Sequence, residues 1–126
     1  MAYHVSKERF AELVELALAE LPAKFAEALD EVPVEIHDLP TPAQLRSLGL
    51  KRNQILLGLY HGRPRTQRSV EEPYRFPDRI YIFQQHVELA SRDEPHLIEQ
   101  VRKTVLHELG HHFGMSEQDL DELGYG

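Results

Sequence analysis

The sequence contains no cysteine. That excludes a disulfide framework and any thiolate metal site, and it fits a reducing compartment. A metal ion in this chain would have to be held by nitrogen and oxygen. Long apolar runs are also missing. Nothing approaches the roughly 20 apolar residues that span a bilayer. The segment from Met1 to Phe10 carries Lys7, Glu8 and Arg9, which does not read as a signal peptide. Positive charge is in deficit: 14 Lys and Arg against 21 Asp and Glu give a formal net charge of -7. That balance argues against nucleic acid or an anionic membrane as a partner. No internal repeat, low-complexity tract or Gly/Ser linker divides the chain. The expectation is a soluble cytoplasmic protein whose residues 1–126 form a single domain, large enough to bury a core without cross-links.

What is present is patterned. From Ser6 to Leu21 the apolar residues Phe10, Leu13, Val14, Leu16, Ala17 and Leu21 follow helical spacing, with Ser6 as N-cap and Pro22 as interruption. A short helix is expected over Ala23 to Leu29. Pro33 to Asp38 reads as a strand with Val34 and Ile36 alternating. Thr41, Pro42 and Gln44 spell a capping box with proline at the first helical position, opening a brief helix that ends near Gly49. Gln54 to His61 is an apolar strand candidate, and Arg79 to Phe83, β-branched and aromatic, is a stronger one. Between them runs a loop of about Gly62 to Asp78. Arg63, Arg65, Arg68, Arg75 and Arg79 make it locally basic. The plain reading is a solvated loop, and the alternative is a site for an acidic substrate or partner. A short helix over Gln84 to Ser91 and a long one from Pro95 to Phe113, ended by Gly114, complete an α+β pattern of a small sheet with helices around it.

The chemistry lies in that long helix, at His107-Glu108-Leu109-Gly110-His111. At about 100° per residue the two histidines share a face, one turn apart, so both imidazoles can reach one cation. Glu108 sits about 100° round from His107. It is better placed to take a proton from a zinc-bound water than to join the ligands. Ile98, Val101, Val105, Leu106, Leu109 and Phe113 form the opposite, packing face. Gln100, Lys103 and Thr104 share the open one. Gly110 costs about 1 kcal/mol against alanine inside a helix, which suggests close approach by another backbone. Gly114 can turn the chain so that Glu117, three positions on, swings back as third ligand. Asp119, His112, Asp121, Glu122 and the distant His86 stay open for that role. For His112 itself the expected place is the core edge. Met115 is a packing residue or a floor beneath the site. Tyr60, Tyr74, Tyr81 and Tyr125 are the candidates for stabilising an oxyanion.

The stretch His107-Glu-x-x-His111-x-x-Gly114-x-x-Glu117 resembles the metzincin pattern, with an acidic residue replacing its third histidine. More closely, the chain is similar to the small bacterial zincin-like metallopeptidases. They share a His-Glu-x-x-His-His-Phe-Gly stretch, here His107 to Gly114. They also share strands like Pro77 to Phe83 and Leu57 to Tyr60. The resemblance implies a minimal zincin fold, namely a small mixed sheet, an active-site helix and a metal cleft. It implies His107, His111 and Glu117 as ligands of Zn2+ and Glu108 as general base, acting on a peptide or protein substrate. Mn2+, Fe2+ or Co2+ could also suit such ligands. A hydrolase of a small amide or ester and a non-catalytic metal-binding or interaction protein are the competing readings.

Overall fold

The computed structural model describes residues 3–62 and 78–122. The apolar stripe of the first segment forms α1, Lys7–Ala19, which buries Phe10, Leu13, Val14 and Ala17 on one face. Ser6 caps it by accepting from the Arg9 N–H at 3.0 Å. Helix α2, Ala23–Ala28, follows the break at Pro22. Strand β1 is Val34–His37. The capping box is present at α3, Pro42–Ser47: Thr41 Oγ1 accepts from Gln44 N–H, and Gln44 Oε1 accepts from Thr41 N–H. Strands β2, Gly58–His61, and β3, Arg79–Phe83, are followed by α4, Gln84–Leu89, α5, Glu94–His112, and α6, Glu117–Glu122.

Among the described residues the sheet is mixed and three-stranded, in the order β1-β3-β2. Strand β3 pairs parallel with β1 and antiparallel with β2, placing Leu59 opposite Tyr81 and Tyr60 opposite Ile80. Alternation sends Ile80 and Ile82, both at 0% exposure, into the core with Leu97, Val101, Val105 and Leu109 of α5 and the stripe of α1. Helix α5 thus lies between α1 and the sheet, clamped from both sides. Each such apolar side chain contributes about 1.5–3 kcal/mol by leaving water. At its first turn α5 is tied to α1 by a forked ion pair, with Arg9 Nε and Nη2 donating to the Glu94 carboxylate at 2.9 and 2.6 Å. That pair holds the Glu94 carboxyl below the usual carboxylate range.

Several expectations need correction. The strand expected from Gln54 begins only at Gly58. Upstream, the Leu56 N–H lies 3.0 Å from His86 Nδ1, outside the ladder. The long helix starts one residue early, at Glu94, because Asp93 caps it by accepting from His96 N–H. Thr104 shares the cleft-lining face with Gln100 and Lys103 as expected, but it is buried there, with its methyl group against Gly58. A further helix, α6, follows the long one and was not expected. Ser116 and Asp119 cap α6 reciprocally, side chain to backbone in both directions, at 3.1 and 2.9 Å. That Ser-x-x-Asp signature stands in the sequence and could have announced the helix. Arg63, Arg65, Arg68, Arg75, Tyr74, Tyr125 and Pro77 lie outside the described residues. Arg79 belongs to β3, where it donates to Glu35 at 2.8 Å. Among the described residues no helix is long and apolar enough to cross a membrane.

Candidate metal centre

Helix α5 carries the site on its last two turns. His107, Glu108 and His111 each bring a ligand atom within 4.8 Å of one another. The two imidazole rings stand 5.0 Å apart, centre to centre, and nearly perpendicular. Both are partly exposed, so the pair faces outward, away from the buried residues Val105, Leu106 and Leu109 of the same turns.

The chain then returns to this face. Past Phe113 the helix ends in a Schellman motif: Gly114 N–H donates to His111 O, and Met115 N–H donates to Gly110 O. Gly114 has φ 77°, a left-handed conformation that glycine adopts without a Cβ clash. The turn leads into α6, whose Leu120 is fully buried. Leu120 seats on Gly110, where an added Cβ would meet Leu120 Cδ2 at 2.3 Å. The glycine therefore accommodates a side chain, not the backbone expected from the sequence. Seating α6 this way brings Glu117 over the histidine pair, with Oε1 3.1 Å from His107 Nε2 and 3.1 Å from His111 Nε2. Of the residues left open as third ligand, Glu117 is the one in contact with both rings. The Asp119 carboxylate is engaged in the α6 cap, and His86 Nδ1 contacts the Leu56 backbone.

Glu108 occupies a different environment. Its Oε1 accepts a 2.8 Å hydrogen bond from the Tyr60 backbone N–H on β2. Burial pushes its carboxyl up to about 7, opposed by the His107 charge and the Tyr60 hydrogen bond and assisted by Glu117. Burial, followed by His107, lowers the His111 pKa, so this ring is neutral at pH 7 and offers a lone pair. Two imidazoles and a carboxylate, with no thiolate, suit a borderline divalent cation such as Zn2+.

A cleft of about 270 Å3 opens beside His107 and Glu108, between Leu56, Leu57 and Gly58 on one side and Gln100, Lys103 and Thr104 on the other. Of the tyrosines proposed for an oxyanion, the two that are described, Tyr60 and Tyr81, have other partners. The Tyr60 hydroxyl points to His112 Nδ1 at 3.2 Å. Tyr81 lies on the sheet face opposite Ile80 and Ile82, its ring against His37. His112 sits deeper than the core edge, at 0% exposure. The Tyr60 N–H contact was not legible in the sequence, since a strand's backbone donor carries no residue signature. Residues 29–126 match the protein family described as zincin-like metallopeptidase. No curated protein matches the chain.

Proposed function

The chain belongs to the zincin-like metallopeptidase family, and from that premise we propose that it is a zinc-dependent peptidase in which His107, His111 and Glu117 hold the ion and Glu108 carries the proton. The observation that carries this reading is the separation of the two carboxylates. Glu117 Oε1 lies 3.1 Å from both ring nitrogens, while Glu108 is held aside by the Tyr60 N–H. Two carboxylates in two environments take two roles. When bound, the ion supplies a Lewis acid that acidifies water and polarises a carbonyl oxygen. Glu108 Oε1 is occupied by Tyr60, which leaves Oε2 to take a proton from the attacking water. With a pKa of about 7, the same oxygen can return that proton to the leaving amine near neutral pH.

The sheet supports a peptide as substrate. Among the described residues β2 is an edge strand beside the site, and β3, the other sequence candidate for pairing, is internal. The ladder bond from Phe83 N–H to Leu57 O fixes which β2 residues face β3. By alternation the backbone groups of Gly58 turn outward, where an extended chain can add as a further strand.

The test uses purified protein loaded with Zn2+ and a quenched-fluorescence peptide library. The wild type is expected to cleave, to stop with chelator and to recover with Zn2+. Glu108→Gln should keep the ion and lose at least about 100-fold in rate. Glu117→Ala should weaken Zn2+ binding by more than about 100-fold, beyond the loss typical of an outer partner. Zinc at 100 times its Kd should stabilise the wild type by about 2.7 kcal/mol in a thermal melt, and His107→Ala not at all. No cleavage by loaded wild type, with Glu108→Gln indistinguishable from it, would refute the peptidase.

A further inference from the structure

Helix periodicity divides the site-bearing turns of α5 into two rows. His107 and His111, four residues apart, form one. Glu108 and His112, also four apart, form the next, about 100° round the helix. The first row faces Glu117 and solvent. The second meets β2 at Tyr60. Tyr60 touches both its members: the backbone N–H donates to Glu108 Oε1 at 2.8 Å, and the side-chain Oη lies 3.2 Å from His112 Nδ1. One strand residue therefore spans one turn of the helix.

Two carboxylates approach His112 from other directions. Asp78 Oδ2, itself buried just before β3, lies 3.4 Å from the same Nδ1. Glu31 Oε2, after α2, lies 3.8 Å from Nε2. Asp78 is in turn packed tightly under Gly62, where an added Cβ would meet its Oδ1 at 2.1 Å. With His112 and Asp78 both buried, a slip of β2 would carry the Tyr60 hydroxyl away from the His112 ring nitrogen in a medium that does not solvate that atom. The arrangement fixed here is the register of β2 on α5.

We infer that Tyr60 and His112 are positioning residues of the proposed reaction: together with Asp78 they lock β2 against α5 so that the Tyr60 N–H holds the Glu108 carboxylate in its working orientation. The inference rests on Glu108 as the proton carrier. It assigns His112 a role distinct from that of His111, although the two are neighbours in sequence. Loss of the Tyr60 hydroxyl frees the strand to shift while leaving the His107–His111–Glu117 face untouched. The expected signature is accordingly a fall in turnover without a fall in metal binding.

The experiment compares wild type with Tyr60→Phe, His112→Leu and His112→Gln, all loaded with Zn2+. Tyr60→Phe and His112→Leu should lose about 10- to 100-fold in kcat on the peptide library, as a misplacement of about 1 Å does. KM and the Zn2+ Kd should stay within about twofold of wild type. His112→Gln, which keeps a hydrogen-bonding side chain, should retain most of the rate. The second readout needs no substrate. Amide hydrogen exchange at residue 60 should accelerate at least about tenfold in Tyr60→Phe, while Leu59, paired into β3, stays protected. Unchanged exchange at residue 60 together with unchanged kcat would overturn the inference. If even the wild type cleaves nothing, the peptidase reading falls, and the exchange at residue 60 still decides whether the clamp exists.

Discussion

Replacing Glu108 by glutamine should stabilise the metal-free protein while removing its activity, and the pH at which it does so is set by burial. The carboxyl has a pKa of about 7 in the folded chain against 4.5 as its ordinary value. Folding therefore holds that proton more tightly than the unfolded chain does. The sign follows from linkage: the folded state is not penalised below about pH 4.5, and it loses stability as pH rises through 4.5 toward 7. Above pH 7 the full cost applies, about 3 kcal/mol at 1.36 kcal/mol per pKa unit. Glutamine cannot ionise, and its amide oxygen can still accept from the Tyr60 N–H. At pH 8 the metal-free variant should thus melt about 8–12 °C higher than wild type, at roughly 4 °C per kcal/mol for a chain of this size. At pH 4.5 the two melts should coincide. Thermal unfolding followed by circular dichroism, with chelator present throughout, measures both. Equal melting temperatures at pH 8 would refute the reasoning, since they would mean that the carboxylate is solvated in the folded protein. Zinc should narrow the gap at pH 8, because a bound cation favours the charged carboxylate beside it.

Two glycines make further predictions. Gly110→Ala should gain about 1 kcal/mol of helix propensity yet displace Leu120, whose Cδ2 lies 2.3 Å from the added Cβ. The helix should stay intact while Glu117 moves off the histidines, so calorimetry should show weaker Zn2+ binding, and adding Leu120→Ala should not restore it, because α6 then lacks its anchor. Gly58→Ala should destabilise by about 1–3 kcal/mol in urea unfolding, because its Cβ would meet Thr104 Cγ2 at 2.6 Å and the Tyr81 carbonyl oxygen at 2.9 Å. Backbone cannot rotate away as a side-chain tip can.

What the amino-acid order determined by itself was local. The caps at Ser6 and Thr41, the turn at Gly114, the strand Arg79–Phe83 and the shared face of His107 and His111 all follow from short-range geometry. Helix pitch and capping chemistry act over three or four residues, so a few letters suffice to specify them. Tertiary structure decided which carboxylate meets which partner. Glu117 reaches both imidazoles because Leu120 docks on Gly110. Thr104 is buried because β2 lies against that side of α5, not because its neighbours in sequence required it. Glu108 acquires its raised pKa from burial and its orientation from Tyr60, 48 residues away. Desolvation and contacts of that range depend on how separate segments pack, and no periodicity within one segment encodes them.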